Sequence, residues 1–568
     1  MTKPHSSQAE RPHLPPELLK HPGLTSDAPE IRTLGEELRP RVEVFFYKTR
    51  SPCLWVVTAG GTGTGKSTLF NLLCGRELSA TGVERPKTSG PLAYAAAGCI
   101  SHDDFPFPDM DIQRSRPGEF PPLPAAGLQG RLLLLEREGQ EPSLVLVDTP
   151  DLDSVELENR RLARRLSIIA DAVVFVTSGE KYADEVPSRF LLKLVNEGKP
   201  VYLAFNKAEP GLTPEEAAAV FEDHGISLKK ERIQILPQAH GSRPQDDPAL
   251  SSAVKSLEDL LSGLGRETLR REALSSESSL LKEDLSRLHT LLIQEKRASD
   301  RWSERLKGLL SETSSELIRS ETERFAARHR SHISREIRRL FSRYDPLVRP
   351  RRAIKGLILT PLRILGLSKA EKEETKDLEK ARQAAETAPV LAAVDRFNRR
   401  VLEELSPEDP DAPLFSALRS PEAAMERDEI ESRLNREQEL LESWVREKFE
   451  ELRKGLPAAK KWSIYSTSIL WGVLILAFEA TVGGGFTVVD ALVDSALAPF
   501  VTRGSAELFA HREIRAVAKE MASRYQAALL SILEEQCSRY QSIIESLTPD
   551  PTLEERLQAL QKQLASWR

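Results

Sequence analysis

Residues 54–74 read LWVVTAGGTGTGKSTLFNLLC, and this stretch decides the fold. Leu54 to Ala59 is a short apolar run rich in β-branched and aromatic residues, as a buried strand requires. Ser67 to Cys74 carries its apolar residues at helical spacing. Between them Gly60-Gly61-Thr62-Gly63-Thr64-Gly65-Lys66-Ser67 satisfies the P-loop pattern GxxxxGK[ST]. Glycines let the backbone curl so that successive N–H groups turn toward phosphate oxygens, and the helix that follows presents its positive end to the same point. In that arrangement the backbone of Gly60 to Thr68 cradles the phosphates. Lys66 reaches the β and γ phosphates, and the Ser67 hydroxyl is placed to ligate Mg2+.

Outward from this motif, as far as about Gly265, short apolar runs alternate with helical patterns, which predicts a mostly parallel sheet with crossover helices. The runs are Leu144 to Val147, Ala172 to Thr177, Val201 to Phe205 and Ile233 to Leu236. Arg131 to Glu136 and Leu144 to Val147 flank a glycine-containing turn and read as an antiparallel hairpin at a sheet edge, while Ser101 to Gly127 reads as a Pro-rich loop. Two strands end in polar clusters. Leu144 to Val147 runs into Asp148-Thr149-Pro150-Asp151, and Val201 to Phe205 runs into Asn206-Lys207-Ala208-Glu209. A carboxylate leaving the C-terminal edge of a parallel sheet beside a phosphate loop can hold the Mg2+ shell.

These clusters resemble the DxxG and NKxD motifs of the translation-factor-related P-loop GTPases, in that family's order, over about Leu54 to Ala239. The resemblance implies GTP and GDP as ligands and Mg2+ as cofactor, held by Ser67, Asp148 and a switch threonine, Thr88 in Arg85-Pro86-Lys87-Thr88-Ser89, for which Thr81 and Ser89 compete. It makes Lys66 and Thr88 the catalytic residues of a GTP hydrolase, whose basal rate the departure at Leu152 predicts to be slow. It implies that Asn206 supports the P-loop, that Lys207 lies along the guanine ring, and that the carboxylate of Glu209 accepts the base's N–H donors. The backbone at Ala239, in Gln238-Ala239-His240, meets the guanine carbonyl. Three positions depart from the family. Asp151 replaces the glycine of DxxG and brings a second carboxylate, which a γ-phosphate repels unless it points away. Glu209 is one methylene longer than the usual aspartate, which leaves ATP as a competitor to GTP. Leu152 stands where small GTPases carry a water-positioning glutamine and cannot orient water.

The whole chain has 568 residues, with 80 Lys and Arg against 86 Asp and Glu and a formal net charge of -6, which argues against nucleic acid as a partner. Cys53, Cys74, Cys99 and Cys537 form no CxxC pair, so the reading is four unpaired thiols and no zinc site, as in a reducing cytoplasm. The organisation read from the text is a tail and lead-in helix over 1–50, with the helix at Ile31 to Tyr47, and a nucleotide domain over 51–265. A helical segment at 266–345, a basic-apolar and charged segment at 346–425 and a second helical segment at 426–568 complete it.

Within the last segment, residues 464–501 combine an apolar run, the triplet Gly483-Gly484-Gly485 and the carboxylates Glu479, Asp490 and Asp494. This suits either a hairpin dipping into one leaflet or a buried helical hairpin. Residues 348–369 place Arg349, Arg351, Arg352, Lys355, Arg363 and Lys369 among Ile354, Leu357, Ile358 and Leu365, a pattern for an anionic lipid surface or for a linker folded on the helices. A nucleotide head, long helices and a late apolar hairpin together resemble the bacterial dynamin-like GTPases. That resemblance implies peripheral attachment to the inner face of the cell membrane and a nucleotide-dependent homodimer. An Era-like ribosome- or RNA-associated GTPase and a slowly hydrolysing nucleotide-gated scaffold stand as alternatives.

Overall fold

The computed structural model describes residues 13–21, 23–51, 53–80, 90–100, 105–108, 110–115, 131–138, 144–152, 157–182, 184–223, 225–238, 247–263, 266–342, 376–405, 411–454 and 506–566. These fall into two compact units, one drawn from Met1–His21, Pro29–Ile293 and Asp550–Arg568, the other from Pro22–Ala28 and Gln294–Pro549.

The first unit is built on an eight-stranded sheet of β1 (Leu54–Gly60), β2 (Leu92–Ala96), β3 (Asp111–Ser115), β4 (Arg131–Arg137), β5 (Leu144–Asp148), β6 (Ala172–Ser178), β7 (Val201–Ala208) and β8 (Ile233–Pro237), in the order β3-β4-β2-β5-β1-β6-β7-β8. Every neighbouring pair is parallel except β2 with β5. All seven positions of β1 are buried, as in a parallel strand covered on both faces. Its side chains alternate between two cores. Trp55 and Val57 join Val145, Val147, Leu162, Leu166, Leu191 and Phe221, whereas Val56 joins Leu69, Phe70, Leu146, Val174, Leu250 and Leu257. The covering helices are α1 (Ala28–Arg50), α2 (Lys66–Cys74), α3 (Leu157–Ile169), α4 (Glu185–Asn196), α5 (Pro214–Glu222) and α6 (Pro248–Gly263). The fold is thus a mostly parallel α/β domain followed by long helices.

Three sequence expectations are corrected. Arg131 to Glu136 and Leu144 to Val147 are not hairpin partners: β2 lies between β4 and β5, parallel to the first and antiparallel to the second. The stretch read as a loop contains β3, an edge strand of sequence DIQRS whose only buried side chains are Ile112 and Ser115. The cysteines are not all unpaired, because Cys53 and Cys99, 46 positions apart, form a disulfide with Cα atoms 6.1 Å apart. The antiparallel course of β2 explains it, since its C-terminal end returns to the edge where β5 and β1 begin. Cys74 and Cys537 are free.

A helical layer completes this unit. The helix α7 (Arg266–Ser342) contributes Leu274, Leu281, Leu285, Leu288 and Leu292. A C-terminal helix, Pro551–Ser566, contributes Leu553, Leu557, Leu560 and Leu564, and both series follow the i, i+4, i+7 spacing of one apolar face. They close on Ile31, Leu38, Val42 and Phe45 of α1 and on Leu14 and Leu18 of the preceding turn.

Where this layer meets the starts of β6 and β7 lies a buried charge network. Lys48 Nζ sits 2.8 Å from Asp171 Oδ1 and directs a hydrogen bond to the Ala170 carbonyl at 2.9 Å. Asp171 Oδ2 accepts from the Trp55 amide at 2.8 Å. Lys199 donates to the Ile168 carbonyl at 2.9 Å and lies 3.6 Å from Glu277, which also accepts from Arg41 at 2.8 Å. Burial, reinforced by the charge of Lys48, pushes Lys199 down to about 8 from 10.5. The unfolded chain holds that proton up to 10.5 while the folded chain releases it near 8, so this group's contribution to stability rises with pH between those values. Denaturation of the Lys199→Met variant is expected to lack that rise, the wild type gaining on the order of 3 kcal/mol relative to it across the window.

The second unit consists of the later part of α7 with α8 (Lys376–Glu404), α9 (Pro413–Leu418), α10 (Arg427–Lys454) and α11 (Ala506–Leu547); the C-terminal helix of the first unit is α12. Its core includes Leu306, Leu309, Phe397, Val401, Leu434, Leu533, Tyr540 and Ile544. Phe397 and Tyr540 pack with ring centroids 6.1 Å apart, and the Tyr540 hydroxyl donates to Asn398 at 3.0 Å. Buried Glu295 accepts from the amides of Leu24 and Thr25, which fastens the segment from Gly23 to Ala28 to α7. Among the described residues no helix is long and apolar enough to cross a membrane. Residues 348–369 and 464–501 lie outside the described residues.

Candidate functional site

The site lies at the C-terminal ends of β1, β5 and β7, where the P-loop joins β1 to α2. Two glycines are demanded by close approach. A Cβ on Gly60 would stand 2.2 Å from the Val176 carbonyl oxygen, and a Cβ on Gly65, whose φ is +98°, would stand 2.2 Å from Asn206 Nδ2. That second approach has a purpose: Asn206 Nδ2 donates to the Thr64 carbonyl at 2.8 Å. Lys207 adopts φ of 55° and donates from Nζ to the Gly63 carbonyl at 3.1 Å. Two consecutive side chains at the end of β7 thereby stitch its loop to the phosphate loop. Within the loop the Thr64 hydroxyl donates to the Gly61 carbonyl at 2.9 Å.

Lys66 is 4% exposed and donates to the Gly61 carbonyl at 2.8 Å and to Asp151 Oδ1 at 2.5 Å. Asp151 therefore points at the P-loop lysine rather than away from the phosphate site. Its neighbour Leu152 is buried, and the Leu152 amide donates to the Gly60 carbonyl at 3.3 Å. The Thr149 hydroxyl donates to the Thr58 carbonyl at 2.7 Å, so the turn after β5 is held to β1 along its length.

Asp148 is fully buried at the end of β5. Its Oδ2 accepts from the Ser67 and Ser79 hydroxyls, each at 2.7 Å, and its Oδ1 from the Thr58 hydroxyl at 3.3 Å. Burial pushes this carboxyl above its ordinary range, against the opposing pull of the Ser79 and Ser67 hydrogen bonds and the Lys66 charge. A desolvated carboxylate among hydroxyl oxygens fits a hard, oxygen-seeking divalent cation such as Mg2+. Ser67 and Asp148 are the side chains that would hold it. Bound there, the cation would supply positive charge that offsets the negative charge of a phosphate ligand.

Sequence reasoning missed Ser79 and Asn71. Asn71, on α2, accepts from the amides of Leu78 and Ser79 through Oδ1 and donates to the Ser79 carbonyl at 2.8 Å. This clamp presents the Ser79 hydroxyl to Asp148, immediately before residues 81–89. Thr81, Arg85, Thr88 and Ser89 lie outside the described residues, as do Ala239 and His240. Thr62 is in the P-loop turn and Thr68 in the first turn of α2, while Glu209 is exposed just past β7, three positions beyond Asn206. Among the described residues no group of three His, Cys, Asp or Glu side chains is arranged to hold a metal.

A family model described as 50S ribosome-binding GTPase matches residues 55–207, and this stretch is a P-loop GTPase domain. A curated relative, an uncharacterized protein in the xynA 3' region of Caldicellulosiruptor sp. (strain Rt8B.4), is 26% identical over 222 residues, or 36% of this chain; the chain spans about half, 52%, of that relative's length. Among solved structures, two of an oligomerised bacterial dynamin pair, described as providing a mechanism for long-range sensing and tethering of membranes, are 13% and 12% identical. They cover 96% and 97% of this chain and 91% and 94% of their own, with TM-scores of 0.30 and 0.31. LeoA, a bacterial dynamin GTPase from ETEC, is 14% identical over 97% of this chain and 94% of its own, with a TM-score of 0.24.

Proposed function

We propose that this protein binds GTP with Mg2+ and hydrolyses it slowly to GDP, and that the nucleotide state is transmitted to the long helices and to a peripheral membrane contact through residues 348–369 and 464–501. The observation that carries the nucleotide part is the stitching of Asn206 and Lys207 onto the Thr64 and Gly63 carbonyls. It joins the segment that reads a base to the loop that holds phosphates. Glu209 follows three positions later and offers a carboxylate to the paired N–H donors of guanine, an edge that adenine does not present. Thr88 and the backbone at Ala239 complete the proposed site, with Thr88 and Lys66 acting on the γ-phosphate. Slow turnover is the expectation because Leu152 is buried and apolar. That same observation favours a second reading, a nucleotide-gated scaffold that binds without turning over.

One experiment separates these readings: nucleotide competition and phosphate release by the full chain with GTP or ATP, with Mg2+ or EDTA, and with anionic vesicles added and then pelleted. GTP is expected to outcompete ATP by about tenfold or more, an advantage lost in Glu209→Ala, since unpaired polar groups in a reading site are costly. Release of phosphate only with Mg2+ and pelleting with vesicles support the full proposal. Binding without release supports the scaffold, and equal competition by ATP removes guanine selectivity.

A further inference from the structure

The contact between Lys66 and Asp151 occupies the group on which phosphate recognition depends. The P-loop ammonium is a compact charge with three donors. One goes to the Gly61 carbonyl at 2.8 Å and one to Asp151 Oδ1 at 2.5 Å. The lysine is 4% exposed, so the carboxylate that meets it does so from the open side of the loop, where Asp151 is itself 36% exposed. A charge-assisted bond of this kind is about twice as strong as a neutral one. The carboxylate's position is held by its neighbours, since Leu152 is tied to Gly60 and Thr149 to Thr58.

Resting on the GTPase reading, we propose that Asp151 determines which nucleotide the site prefers: its carboxylate stands in for the γ-phosphate on Lys66 and biases the site toward the diphosphate. A diphosphate uses the backbone amides of the loop and the one remaining lysine donor, so Asp151 can stay in place. A triphosphate brings further negative charge to the point the carboxylate holds, and like charges at that separation do not share one counter-ion. The γ-phosphate must therefore displace Asp151. Because residues 149–152 are fastened to β1, that displacement strains or frees the turn after β5, and the third phosphate is felt there as movement.

The test measures affinity of the full chain for GDP and for a non-hydrolysable GTP analogue, with Mg2+, in wild type, Asp151→Asn, Asp151→Gly and Asp151→Glu. The asparagine and glycine variants are expected to bind the analogue about tenfold more tightly with GDP affinity changed less than about threefold, while the glutamate variant keeps the wild-type ratio. Equal tightening for both nucleotides, no change in either, or weaker binding of the analogue overturns the inference, the last by showing that Asp151 serves the triphosphate. These outcomes leave the GTPase reading standing as long as nucleotide is bound. If neither wild type nor any variant binds either nucleotide, the GTPase reading itself falls and the inference falls with it.

Discussion

Lys66→Met is expected to lower kcat/KM for GTP by about a thousandfold, the scale on which loss of one buried charged donor to a reacting phosphate or oxyanion is felt. Methionine matches the length and apolar stem of lysine, so the packing of a residue only 4% exposed is kept while its charge is removed. Its former partner Asp151 is 36% exposed and can be solvated, so the fold should survive the change. Titration calorimetry with GDP and phosphate-release assays with GTP check the prediction. Turnover within tenfold of wild type would show that the P-loop lysine does not meet the phosphates, and would remove the basis for the proposed activity.

Asp171→Ala should destabilise the first unit by about 3–5 kcal/mol, because it leaves a buried cation without its partner. Lys48 is 5% exposed, and Lys199 lies close enough to share the Ala170 carbonyl with it. With Asp171 removed, two ammonium groups face each other and the Trp55 amide loses its acceptor. Asp171→Asn keeps an acceptor for Trp55 and should lose less. Adding Lys48→Met to Asp171→Ala should recover part of the loss, since the uncompensated charge goes with it. Guanidinium denaturation followed by circular dichroism reads these three variants together with Lys48→Met alone. A double variant as unstable as the sum of its parts would show that the two groups do not interact.

Most of the strands legible in the sequence are those whose composition is forced by burial on both faces, although the edge strand β8, IQILP, was legible too. β1, β5, β6 and β7 are runs rich in Val, Leu and aromatic residues because helices cover them on each side. β2, with the sequence LAYAA, is no less buried but is mostly alanine, which carries no strand signal, and β3 is a polar edge with two inward residues. Without β2, the neighbouring segments on either side of it read as partners of each other.

The phosphate loop was legible because its chemistry is local, eight consecutive residues whose backbone does the work. Ser79 and Asn71 were not, since a side chain that clamps a turn eight residues away leaves no periodicity and no motif. The Cys53–Cys99 disulfide was hidden for the same reason: only the strand order brings its two ends together. Asp151 was visible as an anomaly of charge, but its partner was named only by geometry.

The helical layer on α1 has a consequence for biosynthesis. Leu553, Leu557, Leu560 and Leu564 of α12 cover the face that α1 and the start of α7 present. The ribosome makes them roughly 260 residues after Leu292, on the order of ten to fifty seconds later. Throughout that interval the nascent chain carries an uncovered leucine stripe beside a sheet that can already form, which is the kind of surface that molecular chaperones grip. A fragment expressed without residues 551–566 would keep that stripe permanently and should be recovered with chaperones attached.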